Sequence, residues 1–140
     1  MYYILLFICI FTRLVTSINY IEDIDSLRFA YSVADEYSIK NLQPHFPGYP
    51  IFSFLGKSFY VLTGNLGVSF SLIGGIALFI IIFSSLKLIK AKINSIYGLL
   101  ISLFILLNPM LWLMSNRYMP DLLGLSIVLS AFYLLMEKNS

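Results

Sequence analysis

Five of the chain's seven acidic residues, Glu22, Asp23, Asp25, Asp35 and Glu36, fall in one short stretch behind the first apolar segment. Like charges held close together repel, and burial disfavours the ionised form. Such a cluster suits a general base, a divalent-cation clamp or a cation site. The chain's one histidine, His45, follows in the run His45-Phe46-Pro47-Gly48-Tyr49-Pro50. A second polar turn, Ser115-Asn116-Arg117-Tyr118-Met119-Pro120-Asp121, lies far along the chain. It offers a guanidinium whose fork fits phosphate and a carboxylate of the oxygen-donor type that Mg²⁺ or Mn²⁺ takes. Asp121 equally suits a helix start, where an acid meets the positive end of the dipole.

The elements that must position these groups are apolar. The 140 residues are 59% hydrophobic and only 11% charged, against about 25% charged in soluble domains. The net charge of +2 is small and scattered, which excludes a nucleic-acid surface. A lone cysteine, Cys9, forms no internal disulfide, and a lone histidine excludes multi-histidine metal sites. No phosphate-cradling glycine loop and no Ser-His-Asp order occurs.

The expected fold class is all-α, a multi-pass transmembrane helical protein forming one membrane module over residues 1–140. Residues 1–18 read as the first span; a cleaved signal peptide competes, although no basic n-region precedes it and Arg13 interrupts it. Residues 19–47 form an external loop. Within it Leu27, Ala30, Tyr31, Ala34 and Tyr37 trace the apolar stripe of a short helix, with Asp23 or Asp25 as N-cap. Pro44, Pro47 and Pro50 recur at every third position, which suits an extended polyproline-like run ending at a helix start. Residues 50–64 place Ser53, Lys57 and Tyr60 on one side and Phe52, Leu55, Phe59 and Leu62 on the other, as in a helix lying in the interface. Spans are expected at about 67–87, 95–114 and 120–136. Gly74-Gly75 in the second span marks either close helix approach or ordinary glycine tolerance. Lys87, Lys90 and Lys92 should stay cytoplasmic. That puts the acidic loop and residues 115–121 outside and the C-terminus inside, provided helix 50–64 does not cross; five spans is the alternative.

Asp25-Ser26-Leu27-Arg28-Phe29-Ala30, His45-Phe46-Pro47-Gly48-Tyr49-Pro50 and Ser115-Asn116-Arg117-Tyr118-Met119-Pro120-Asp121 stand in the same order as three motifs of the GT-C polytopic glycosyltransferases. The chain resembles the dolichyl-phosphate-mannose protein mannosyltransferase and aminoarabinose transferase branch. Ser26 departs from that family's usual glutamate, and the last motif has one residue fewer between Arg117 and Pro120. Arg13 resembles an arginine near the outer end of the family's first span. The resemblance implies Asp25 as catalytic base, with Arg28, His45, Arg117 and Tyr118 binding substrate and Asp121 as a metal ligand. Tyr118 also reads as an interfacial belt residue. The implied partners are membrane lipid and a polyprenyl-phosphate-linked sugar donor, used on the non-cytoplasmic face of the cell membrane, with a divalent metal (Mg or Mn) as cofactor. Only the family's N-terminal module is resembled, so the chain is expected to act with a further part or another subunit. Two rival readings stand beside this one. The first is a non-enzymatic small membrane protein, either a helper subunit or a remnant. The second is a piece of a transporter with the acidic loop as a cation gate.

Overall fold

The computed structural model describes residues 1–138, and among them the chain is all-α. The helices are α1 (Tyr2–Val15), α2 (Ile24–Ala34), α3 (Pro50–Thr63), α4 (Leu66–Leu88), α5 (Ile96–Leu106), α6 (Pro109–Met114) and α7 (Asp121–Lys138). Local signals set their ends. Asp23, Asn65, Ser95 and Asn108 each cap the helix that follows through a side-chain oxygen, satisfying amides that have no intrahelical partner. Pro50 and Pro109 occupy first helical positions, where a missing N–H costs nothing.

Helix α4 is the axis of the molecule. It is apolar on every side, as a helix buried among others must be. Its Ala77, Leu78, Ile81, Ile82 and Leu86 pack with Leu5 and Cys9 of α1, Leu106 of α5 and Leu122 of α7. A second core, at the other end of α4, joins Phe70 and Ile73 to Phe29, Ala30 and Val33 of α2, Phe52 of α3, and Tyr118. This second core carries the polar loops.

The glycine pair makes close helix approach possible. A Cβ on Gly74 would lie 1.7 Å from the backbone oxygen of Ser115, and one on Gly75 would lie 2.9 Å from Cα of Ile10. Gly74 therefore seats the 115–121 turn directly on α4.

The expectation of four spans is only partly met. α4, with 23 residues, is the one described helix long and apolar enough to cross a membrane; it measures about 34 Å at 1.5 Å per residue, against a hydrocarbon core of about 30 Å. α1 and α5 are shorter apolar helices. The expected continuous helix over 95–114 is broken at Asn108-Pro109, where Asn108 Oδ1 accepts from the amides of Met110 and Leu111 at 3.0 and 3.1 Å. Two finer expectations also need correction. The buried face of α2 is Ser26, Phe29, Ala30 and Val33, while Tyr31, Ala34 and Tyr37 are exposed. The proline run is not extended. The Gly48 amide donates to His45 O at 2.9 Å, and Ser38 bridges Gln43, so the chain folds back on itself. Buried Pro44 anchors this loop.

The expected sides of α3 are also redrawn: Ser53 lies with Phe52 and Gly56 on the buried side, and Leu62 faces outward with Ile51, Phe54 and Val61. Gly56 and Phe52 meet Phe70 near the start of α4. The polar spots on the buried side are matched: the Ser32 and Ser53 hydroxyls pair at 3.1 Å.

Candidate functional site

Asp23 and Asp25 diverge because they stand at different positions of one helix start. Asp23 Oδ1 accepts from the Ser26 amide at 2.7 Å, so Asp23 is the N-cap of α2. Asp25, in the first turn, is free of that duty. Its Oδ1 accepts from Arg28 Nη1 at 3.1 Å and faces His45 Nδ1 at 3.5 Å. His45 in turn packs edge-on against Phe29 and Tyr49, with ring centroids 5.5 and 5.6 Å away. Tyr49 precedes α3 in a left-handed conformation, φ 41°. Beside it, the Tyr37 hydroxyl donates to Gly48 O at 3.0 Å. Gly48 has φ 95°, and a Cβ there would lie 2.7 Å from the Tyr37 oxygen, so only glycine fits this turn. Local turn chemistry thus carries His45 to Asp25, twenty residues away in sequence.

The 115–121 turn is fixed to the rest of the molecule by its own side chains. Asn116 Nδ2 donates to Thr16 O and Oγ1 at 3.0 and 2.8 Å, while its Oδ1 accepts from Ser71 Oγ at 3.2 Å. The Tyr118 hydroxyl donates to Ile18 O at 2.9 Å, and its ring stacks on Phe70 at 4.4 Å between centroids. Tyr118 is 2% exposed, so it is a packing residue and not an interfacial belt residue; burial raises its phenol pKa. Arg117 extends from this anchored turn and pairs with both Glu22 and Asp23. The two polar segments therefore meet in one rim cluster.

The Asp23 carboxyl is held below its usual pKa, first by the Ser26 amide and further by the Arg117 guanidinium. Desolvation lowers the Arg117 pKa, but the opposing pull of Glu22 and Asp23 leaves the guanidinium above its usual value. A carboxyl with a depressed folded pKa contributes stability that is present above its unfolded pKa, about 3.9, and is lost as pH falls through the folded value. Asp23→Asn should keep the cap, since asparagine caps as well as aspartate, yet remove this acid-sensitive part. Wild-type stability should then drop more steeply than the variant's as pH is lowered below about 4 in chemical unfolding. Identical acid limbs would contradict the assignment.

The remaining sequence candidates lie elsewhere. Asp121 is exposed at the start of α7. It lines a cleft of about 300 Å³ with Tyr49, Pro50, Phe52, Leu123 and Ile127. Among the described residues no group of three or more His, Cys, Asp or Glu side chains is arranged to hold a metal ion. Arg13 does not reach an interface. It is fully buried, its Nη2 donates to Leu106 O at 3.1 Å, and its guanidinium lies 3.7 Å from the Trp112 ring centroid. Sequence reasoning missed Asn116 and Tyr49 as organisers of the site, and missed Glu22 and Asp23 as the partners of Arg117. The only sequence signal for the last was a surplus of acids beside an unmatched arginine.

No protein family, curated protein or solved structure compared with the chain matches it.

Proposed function

We propose that this rim cluster is the acceptor side of a glycosyl-transfer site that uses a polyprenyl-phosphate-linked sugar. The observation that carries the reading is the meeting of Arg117 with Glu22 and Asp23, beside the Asp25–His45–Arg28 group. Two segments, each suited to this chemistry by its residue types, are neighbours in space although they are far apart in the chain. In this reading α1, α4, the α5–α6 pair and α7 cross the bilayer, α3 lies in the interface, and the cluster faces away from the cytoplasm while the C-terminus lies inside. The outward apolar side of α3 fits an interfacial helix.

The reaction divides among the chain's own residues. An Asp25 carboxylate oxygen takes the proton of an acceptor hydroxyl as the acceptor's own oxygen bonds to the anomeric carbon. The bond from that carbon to the phosphate oxygen breaks, and the phosphate leaves with the electron pair. Arg28, part-exposed beside Asp25, offsets its charge, and the fork of a guanidinium suits phosphate oxygens. His45 orients the Asp25 carboxylate. The apolar cleft between the starts of α3 and α7 receives the first prenyl units. Broad outward apolar faces on α5 and α7, with Tyr97 and Phe104 both above 70% exposed or Phe132 and Leu135 above 50%, favour an additional reading. The chain would then work against further helices, as the N-terminal part of a larger transferase or as a non-catalytic helper.

The test is transfer from a radiolabelled polyprenyl-phosphate sugar in membranes carrying the chain. Transfer that depends on the chain supports the reading. Its absence, with and without co-expressed partner helices, overturns the transfer reading.

A further inference from the structure

At the opposite end of α4 from the rim cluster the chain makes a basic cleft that none of the foregoing uses. It is about 370 Å³ in volume and lies where the C-terminal turn of α4 meets the first residue of α1 and the last turns of α7. Lys87, Lys90 and Lys92 contribute cations, Tyr2 and Tyr133 contribute hydroxyls, and Glu137 is its one carboxylate. All three lysines are exposed. The ion pairs among the described residues involve none of them. Lys87 is placed by the Phe83 ring, whose centroid lies 5.5 Å from its Nζ. Lys90 is held at φ 56° as the chain turns out of the helix, and the Ala91 amide closes that turn onto Leu86 O at 2.9 Å.

We propose that this cleft binds the phosphodiester headgroup of an anionic membrane phospholipid. Three cations against one carboxylate leave a net positive cleft, and it stands at the end of the one described helix long and apolar enough to cross a bilayer. A headgroup there lies level with the cleft, and its acyl chains run back towards the bilayer past Met136 and Phe132 of α7, which are 57% and 56% exposed. Basic pockets between membrane helices are suited to acidic headgroups in this way. Phosphate oxygens accept from the lysine ammonium groups and from the Tyr2 hydroxyl, while the Tyr133 hydroxyl is engaged by Glu137. The proposal rests on α4 crossing the bilayer and is independent of sugar transfer at the other end.

The experiment is native mass spectrometry of the full chain released from nanodiscs that contain phosphatidylglycerol and phosphatidylcholine. The wild type should retain phosphatidylglycerol preferentially. A lysine near a charged membrane surface contributes about fivefold in affinity. Lys90→Gln with Lys92→Gln should therefore lower retention on the order of 25-fold. Glu137→Gln removes the opposing charge and leaves the lysines in place, so it should raise retention; this variant decides the matter should the lysine pair prove necessary for insertion. Equal retention of the two lipids by the wild type, or no response to Glu137→Gln, overturns the proposal. Displacement of the lipid by inorganic phosphate would make the ligand a soluble phosphoanion and overturn the assignment to lipid.

Discussion

With Asp25 as the base of the proposed transfer, Asp25→Asn is expected to lower that transfer by ~10²–10⁴-fold, the usual share of a positioned general base, while leaving the chain folded. The separation of the two effects follows from helix position. Asp23, not Asp25, caps α2. Asp25 is 39% exposed and its partners Arg28 and His45 are part-exposed as well, and pairs of this kind contribute about 0–1 kcal/mol. The amide of asparagine still accepts a hydrogen bond from Arg28 but takes up no proton. Unfolding midpoints should therefore match while transfer collapses. Equal transfer by variant and wild type would remove Asp25 as the base. A variant that fails to fold would mean that Asp25 holds the loop together, contrary to its position after the cap.

Gly74→Val should be strongly destabilising. Overpacking a well-packed core costs typically about 1–3 kcal/mol, occasionally more. The upper end applies here because the obstructing atom, Ser115 O, belongs to the backbone and cannot rotate away. The displaced segment is the one that carries Asn116, Arg117 and Tyr118. The bonds from Asn116 to Thr16 and Ser71, the Tyr118 bond to Ile18 and the Arg117 pairing with Glu22 and Asp23 should loosen together. Gly124 on α7 is the control, since a Cβ there meets nothing within 4 Å. Thermal unfolding in detergent should show a large loss for Gly74→Val and almost none for Gly124→Ala. A Gly74→Val protein that unfolds at the wild-type temperature contradicts the packing.

Much of the fold is legible because local chemistry and packing agree. Pro50 starts α3 where the sequence places a helix start, and the apolar run 67–87 becomes α4 within a residue at either end. The sequence admits Asp23 or Asp25 as the cap of α2, and the Ser26 amide selects Asp23. Where the reading failed, a distant partner decided. α2 carries two possible stripes. The one with more tyrosine is exposed, because Phe29 and Val33 find Phe52, Phe70 and Gly56, and because the Ser32 hydroxyl is matched by Ser53 across 21 positions. The break at Asn108-Pro109 is hidden by unbroken hydropathy on both sides, although the cap and the proline are both present in the sequence. The members of the polar cluster stand out in the sequence by residue type, but their pairing does not: Asp25 and His45 are twenty positions apart, and the 94-position link between Asp23 and Arg117 has no local signature.

The central claim is that the acidic loop and the Arg117–Asp121 turn share one rim of the bilayer on its non-cytoplasmic face. Its most direct measurement is cysteine accessibility in intact cells. Single cysteines replace exposed Tyr20, exposed Asp121 and exposed Lys90 in a chain whose buried Cys9 is serine. A membrane-impermeant thiol reagent should modify positions 20 and 121 from outside and reach position 90 only after the membrane is opened. Modification of 20 and 121 from opposite sides, or of both only after opening, would contradict the account.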